Sequence, residues 1–199
     1  RVAQARGYKT TTIDIEDKFS PDICVDITNL RRSELPRSVD VIWASIPCTV
    51  FSILSCATHW EKINLGYRKY YYAPRTSQAV IALRILMSTI ELIKKVNPIF
   101  YFIENPRGAL RHFPHLSFVQ FRKTVSYADF GFDYYKPTDV WTNCGQFQPV
   151  EVKSSMGRTF DSSVVGLNGA FERSLVPPGL VECALDAVGK SIIQGGGVK

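Results

Sequence analysis

Residues 76–105, TSQAVIALRILMSTIELIKKVNPIFYFIEN, decide the fold of this chain. The first part carries apolar residues at helical spacing, and Pro98 marks the end of that pattern. The run Ile99–Ile103 is continuously apolar, which is typical of a strand buried on both faces of a parallel sheet. We therefore predict a helix over 76–96 and then a buried strand that ends on the polar pair Glu104–Asn105.

Strand and helix patterns alternate on both sides of this stretch. Further strands are predicted over 9–15, 22–27, 38–45, 123–128 and 138–142. The last two are joined around Gly131, and a final helix is predicted from Pro177 through Val188. Strands that alternate with helices, with a hairpin near the end, predict an α/β fold with a Rossmann-like, doubly wound sheet and a terminal β-hairpin.

Length and composition are those of one globular domain, 1–199, with 45% hydrophobic and 21% charged residues. The net charge of +6 favours a polyanionic partner. No apolar run reaches the length of about 20 residues that spans a bilayer. The 5 cysteines include no Cys-x-x-Cys pair, and the 3 histidines lack ligand spacing. We expect reduced thiols in a cytoplasmic setting and no metal site.

The turn Ser45–Ser52, Ser-Ile-Pro-Cys-Thr-Val-Phe-Ser, follows the predicted strand 38–45. Ligands of open α/β sheets bind at the carboxyl ends of strands, where this turn places Cys48. A thiolate adds to C6 of a pyrimidine when N3 is protonated at the same time, and Glu104 is suited to supply that proton. Asn105 would orient the acid or contact the base edge. The alternative is a buried structural cysteine.

Acidic residues follow the first two predicted strands. Asp14 and Glu16 end the first, where a carboxylate commonly binds ribose hydroxyls. Asp26 ends the second and is suited to accept a hydrogen bond from an exocyclic amine, while Ile27 packs against the base. The alternative for each acid is a surface carboxylate at a strand end.

A long connection, 46–75, is predicted as a mobile functional loop. Its second half, Arg68–Arg75, mixes cations with tyrosines, a combination that suits phosphate contact and base stacking. The alternative is a solvated loop with partly buried tyrosines.

Three motifs resemble those of DNA cytosine-5 methyltransferases, in the same order and over about residues 1–143. They are Pro-Cys-Thr-Val-Phe-Ser from Pro47, Phe-Ile-Glu-Asn ending at Asn105, and Asp-Ile-Thr from Asp26. The resemblance, closest to small phage-borne members, implies a fold of the class I S-adenosylmethionine-dependent methyltransferase type. It also implies S-adenosylmethionine as methyl donor and a cytosine flipped out of DNA.

The resemblance assigns a role to each matched position. It implies that Cys48 is the nucleophile, that Glu104 donates a proton to N3, and that Pro47 and Asn105 support them. It implies that the cofactor is bound by Asp14, Glu16, Asp26 and Ile27. Nucleic-acid contacts are expected at Arg68, Lys69, Arg75, Lys136 and Thr138.

The sequence departs from the family pattern in several places. The Phe-x-Gly-x-Gly turn that cradles the methionine part of the cofactor is expected before residue 1, so we expect this chain to bind cofactor poorly. The Gln-x-Arg-x-Arg motif is replaced at 134–138 by Tyr-Tyr-Lys-Pro-Thr. The segment 144–199 reads as an irregular stretch, the final helix and a loose tail, without room for a sizeable target-recognition domain.

Two other functions remain open on the sequence alone. One is a degenerate, non-catalytic DNA-binding module on the methyltransferase fold, which the altered arginine motif favours. The other is the same chemistry on RNA or on a free pyrimidine nucleotide. We expect a monomer and, for a phage-borne enzyme, the cytoplasm of a bacterial host.

Overall fold

The computed structural model describes residues 1–53, 55–67, 69–132, 134–149 and 175–194, and only the backbone of Lys69. Its strands are β1 (Ile13–Asp14), β2 (Ile23–Cys24), β3 (Val41–Ser45), β4 (Trp60–Gly66), β5 (Lys69–Pro74), β6 (Phe100–Pro106), β7 (Phe121–Ser126) and β8 (Pro137–Thr142). Its α-helices are α1 (Val2–Ala5), α2 (Cys56–His59), α3 (Ser77–Val96) and α4 (Pro178–Gln194).

The central sheet has four strands in the order β3-β6-β8-β7. Strand β6 pairs in parallel with β3 and antiparallel with β8, and β7 completes the predicted terminal hairpin with β8. Buried residues of α3 pack with Ile103 and Trp141 on one face, and buried residues of α4 pack with Phe102 and Val140 on the other. A mixed α/β sheet with a helix on each face is therefore present, whereas the full doubly wound arrangement stays a prediction.

The stretch that decides the fold forms the elements that its pattern predicts. Helix α3 begins after Thr76, whose hydroxyl accepts the N–H of Ala79 at 3.2 Å and caps the first turn. It ends at Asn97, which adopts the left-handed conformation (φ 52°) just before Pro98. Strand β6 then runs between two neighbours, so its apolar side chains are buried on both faces.

Strands β1 and β2 differ from the prediction. Each is two residues long, and they pair with each other in parallel as a separate two-stranded sheet. The sequence predicts longer strands over 9–15 and 22–27 within one doubly wound sheet. The side chains of β1 and β2 are half-buried or exposed, so these strands lack the buried apolar face that fixes a central strand.

The connection 46–75 was wrongly predicted to lack secondary structure. It contains α2 and an antiparallel hairpin of β4 and β5. Trp60 stacks on Phe51 at a centroid distance of 5.3 Å and lies edge-on to Phe113 at 4.8 Å. Because these aromatic contacts bury one end of β4, the hairpin packs against the rest of the protein.

Other predictions fall partly outside the described residues. The final helix is confirmed as α4, whose apolar face includes Leu180, Ala184 and Val188. Of the irregular segment predicted after residue 143, only 144–149 and 175–177 are described. The rest of it and the predicted loose tail beyond Gln194 lie outside the described residues.

Candidate active site

The Pro-Cys turn and the Glu-Asn pair lie at the ends of neighbouring strands. Strands β3 and β6 are parallel, and Ser45 lies directly opposite Glu104 in the register. The chain then turns, and Cys48 follows three residues beyond Ser45. Parallel strands bring their carboxyl ends to one edge of a sheet, so the thiol and the acid emerge at the same edge. Cys48 is half-buried, and Pro47 beside it is exposed.

Asn105 holds the first residue of the turn. Its Nδ2 donates to the carbonyl oxygen of Ile46 at 2.8 Å, and the asparagine side chain is fully buried. The carbonyl oxygen of Cys48 accepts the N–H groups of Phe51 and Ser52, both at 3.1 Å. Asn105 therefore orients the turn that carries Cys48, whereas its expected contact with the acid or the base stays a prediction.

Gly108 packs closely against the same turn and helps to fix its backbone. The N–H of Ala109 donates to the carbonyl oxygen of Phe51 at 2.8 Å, and Ser52 forms a β-bridge with Gly108. A Cβ atom on Gly108 would lie 1.9 Å from the Phe51 oxygen, well inside any allowed contact. Only glycine allows the two backbones to approach this closely. The segment after β6 thus fixes the path of the residues after Cys48.

Glu104 is a buried carboxyl, 4% exposed. The Tyr127 hydroxyl donates to its Oε1 at 2.8 Å, and the Ser45 hydroxyl also bonds to it. Burial raises the pKa of Glu104 above its ordinary value, and the Lys136 ammonium, Tyr127 and Ser45 only partly oppose this rise. A carboxyl in this environment retains its proton to higher pH than an exposed one, which is the state a proton donor needs.

Two predicted nucleic-acid contacts lie beside Glu104. Lys136 is half-buried, and its Nζ lies 4.3 Å from the centre of the Tyr127 ring. Thr138 is fully buried, and its hydroxyl forms a hydrogen bond with the Tyr127 hydroxyl. Both side chains therefore belong to the surroundings of the acid, and their contact with nucleic acid stays a prediction.

Tyr127 was not singled out by sequence reasoning. It follows the last residue of β7 and looks like an ordinary strand-end aromatic residue. Its contact with Glu104 spans 23 positions and depends on how β7, β8 and β6 pair. No local pattern in the sequence carries that information.

The opposite face of the same strands carries a second buried carboxyl, Asp139. Its oxygens accept two nitrogens of Arg111, the closest at 2.6 Å, and the hydroxyl of Thr124 at 2.7 Å. Asp139 lies opposite Asn105 in the register and is fully buried. This carboxylate is fully paired, as a structural ion pair must be.

The predicted cofactor residues lie at the ends of the small parallel pair β1–β2. Asp14 accepts the N–H of Glu16 at 2.9 Å, and Asp26 accepts the N–H and hydroxyl of Thr28, both at 2.8 Å. Both aspartates are half-buried, as is Ile27, whereas Glu16 is exposed and paired with Lys18. Because β1 and β2 are parallel, Asp14 and Asp26 follow them at the same edge.

The remaining predicted DNA contacts lie on or near the β4–β5 hairpin. Arg68 lies outside the described residues, as does the side chain of Lys69. Arg75 is exposed at the base of the hairpin, where its N–H donates to the carbonyl oxygen of His59 at 2.8 Å. The structure thus leaves Arg75 accessible to a partner.

A cavity of about 210 Å³ lies between the hairpin and the segment after β6. It is lined by Ile53, Cys56, Tyr72, Arg107, Arg111 and His112. The pKa of His112 is lowered, first by burial and then by the cations Arg111, Arg122 and Lys62. Cations from three elements therefore surround His112 beside the cavity, which sequence reasoning did not identify.

None of the five cysteines, all within the described residues, forms a disulfide bond. Within the described ranges, no cluster of three or more His, Cys, Asp or Glu side chains has the geometry to hold a metal ion. Of the helices that the structure describes, none combines the length and apolar surface that a bilayer crossing requires.

Comparison with known proteins gives two matches. Residues 14–136 match the family model described as C-5 cytosine-specific DNA methylase. The chain is also 29% identical, over 155 residues, to a probable DNA (cytosine-5)-methyltransferase of Frog virus 3 (isolate Goorha). That alignment covers 74% of this chain and 65% of the viral protein, so the chain spans just under two thirds of this curated relative.

Proposed function

The chain belongs to the C-5 cytosine-specific DNA methylase family, and we propose that it transfers a methyl group to C5 of a cytosine in DNA. The observation that carries this proposal is the pairing of two groups at one sheet edge. Cys48 follows β3 on a turn held by Asn105, and the buried Glu104 ends the neighbouring strand with a raised pKa. A nucleophile next to a proton donor is what addition to a pyrimidine ring requires.

We propose the following roles for the residues of the site. The Cys48 thiolate forms a bond to C6 while the Glu104 proton moves to N3, so the electron pair of the C5–C6 double bond becomes available at C5. That carbon then takes an electrophilic methyl group. Water takes the C5 proton, the electron pair of that C–H bond re-forms the C5–C6 double bond, and the Cys48 sulfur leaves as thiolate while the N3 proton returns to Glu104. Splitting the substitution into addition and elimination is the advantage of covalent catalysis.

The family generally uses S-adenosylmethionine, which supplies the electrophilic methyl group when bound. The donor set at the ends of β1 and β2 fits this cofactor. Asp14 and Asp26 offer carboxylate oxygens for ribose hydroxyls and an exocyclic amine, and Ile27 offers an apolar surface. Glu16 fits less well, because its carboxylate is paired with Lys18.

The proposed DNA partner is supported by charge. The net charge is +6, and the exposed cations Lys62 and Arg107 lie on the hairpin and beside the cavity. We propose that these cations and Arg75 contact backbone phosphates while the target base approaches Cys48 and Glu104 at the sheet edge. Tyr70, which bonds to His112 Nδ1 at 2.9 Å, fixes the hairpin at this surface.

Transfer of a labelled methyl group from S-adenosylmethionine to duplex DNA tests the proposal. At a saturating concentration of S-adenosylmethionine, we expect incorporation at cytosine C5 with the wild-type chain and none with Cys48→Ser. Cys183→Ser is the matched control, because Cys183 lies on α4, outside both the turn of Cys48 and the cavity, and it should retain activity.

Two results of this assay would contradict the proposal. Wild-type protein that retains its fold and binds S-adenosylmethionine but methylates no DNA would favour a non-catalytic DNA-binding module. Faster transfer to RNA or to deoxycytidine monophosphate than to duplex DNA would change the substrate class.

A further inference from the structure

The surroundings of Glu104 raise the question of what orients its carboxyl. The family pattern predicts arginines at 134–138, but the sequence there is Tyr-Tyr-Lys-Pro-Thr. On β6, Glu104 shares its face of the sheet with Phe102, the side covered by α4. On that side the carboxyl is therefore contacted by groups from three places. These are strand β3, the end of β7, and β8 together with the residue that precedes it.

We propose that Tyr127 is a positioning residue: its buried hydroxyl, which lies beside Thr138 and Lys136, holds the Glu104 carboxyl in the orientation that presents a proton to the pyrimidine ring. This inference rests on the proposed function of Glu104. Tyr127 is fully buried, so it acts through the acid and does not touch substrate.

The geometry of the phenol supports this role. The Tyr127 hydroxyl lies 2.8 Å from Glu104 Oε1, with both groups buried, so the carboxyl has one strong donor on one oxygen. The Tyr127 ring is fixed by Phe132, edge-on at 5.6 Å, and by the Lys136 ammonium at 4.3 Å. A donor on a ring that is held on both sides leaves the carboxyl little freedom to rotate.

The Tyr127 phenol also remains a donor throughout the working pH range. Burial and the Glu104 carboxylate raise its pKa far above the ordinary value, so it does not ionise. The titratable groups that influence the pKa of Glu104 are the Lys136 ammonium and this phenol. Tyr134 in turn influences the pKa of Tyr127. The bond from Tyr127 favours the ionised carboxyl, so it offsets part of the rise in the pKa of Glu104 caused by burial.

Tyr127→Phe in the 199-residue chain tests the inference. We expect the rate of covalent adduct formation with DNA that carries 5-fluorocytosine to fall about tenfold, the loss expected for one hydrogen bond to an ionisable group. We also expect the limb of the pH–rate profile that descends at high pH to move to higher pH by about one unit, because Glu104 then keeps its proton longer.

Tyr101→Phe is the matched control. Tyr101 is a buried tyrosine on β6, and its ring packs near Phe118 on the opposite face of the sheet. The control should leave both the rate and the pH profile as in the wild type. A Tyr127→Phe variant whose rate falls with an unmoved descending limb would show a structural role only and overturn the inference.

A second measurement needs no turnover. The pKa of the Glu104 carboxyl, followed by carbon NMR in selectively labelled protein, should rise in Tyr127→Phe and stay unchanged in Tyr101→Phe. Lys136→Met should also raise the pKa of Glu104, and Lys136→Arg should return it to the wild-type value. These two variants provide the measurement if Tyr127→Phe fails to fold. An unchanged Glu104 pKa in the folded variants overturns the inference, whereas failure of the wild type to form an adduct would instead count against the proposed function.

Discussion

Strands β6 and β8 carry two buried carboxyl groups on opposite faces, and their surroundings differ. Asp139 is bound by the Arg111 guanidinium through two nitrogens and by the Thr124 hydroxyl. Glu104 accepts hydrogen bonds from the hydroxyls of Tyr127 and Ser45, and a lysine interacts with it through its charge alone. The pKa of Glu104 is nevertheless raised. Removing a partner of the paired carboxylate would leave an uncompensated buried charge, whereas the incompletely compensated carboxyl is available for proton transfer.

The comparison predicts its largest effect for Glu104→Gln. The amide keeps the shape but has no acidic proton, so methyl transfer should fall by about 100- to 10,000-fold. The free energy of unfolding at neutral pH should not decrease, because the amide keeps the shape and removes a carboxyl whose ionisation the buried site disfavours. Methyl transfer and urea unfolding measured on the same preparation check this, with the exposed Glu91→Gln as control. Activity within threefold of wild type would refute the assignment of Glu104.

Arg111→Met tests the other face. It leaves the fully buried Asp139 without its cation, and we expect the free energy of unfolding to decrease by about 3–5 kcal/mol. Adduct formation per folded molecule should remain near that of wild type. Urea unfolding provides the measurement, with Arg84→Met on the exposed face of α3 as the matched control. A loss no larger than that of the control would show that the Asp139 pair is not structural.

The pH dependence of stability tests the raised pKa of Glu104. Because the folded-state pKa of Glu104 is raised above the ordinary 4.5, the native protein binds more protons than the unfolded chain above that pH. Wild type therefore loses stability as the pH rises from there through the folded pKa, and Glu104→Gln does not suffer this loss. The stability of the variant relative to wild type should increase by up to about 1.4 kcal/mol per pH unit in this window.

Unfolding midpoints at a series of pH values between about 4 and about 8 check this prediction. A difference between variant and wild type that is constant over the whole series would mean that Glu104 titrates at its ordinary value. Glu104 would then lack the raised pKa on which its role as proton donor depends.

The smallest effect is expected for Thr124→Val. This substitution removes the 2.7 Å bond from the Thr124 hydroxyl to Asp139 and leaves the Arg111 pair in place. The free energy of unfolding should decrease by about 1 kcal/mol, with methyl transfer unchanged. Chemical denaturation and the transfer assay check both parts, and an activity loss would indicate that this face also serves the reaction.

The main elements of the central sheet and its helices could be predicted from local pattern. Helix α3 has apolar spacing, a Thr76 cap and Pro98 after its end, and the strand after it is continuously apolar. The β4–β5 hairpin could not, because it is held by contacts of Trp60 and Tyr72 with Phe113, about 40 to 50 residues away along the chain. The separate pairing of β1 and β2 was also missed, since both are too short to show a buried face.

Only part of the candidate site could likewise be predicted from the sequence. Cys48, Glu104 and Asn105 were identifiable because each follows an apolar strand within a recognisable motif. Tyr127 was not identifiable, because its role depends on the order in which strands pair. Lys136 was expected to contact nucleic acid, but its position beside the Tyr127 ring became evident only from the packing of the strands.

The central claim is that Cys48 attacks a pyrimidine activated by Glu104, and mapping of a covalent adduct tests it most directly. The protein is incubated with S-adenosylmethionine and duplex DNA that carries 5-fluorocytosine, digested, and analysed by peptide mass spectrometry. We predict one cross-linked peptide, attached through Cys48, which is strongly reduced in Glu104→Gln. An adduct on any other cysteine, or none with folded, cofactor-bound protein, would contradict the account.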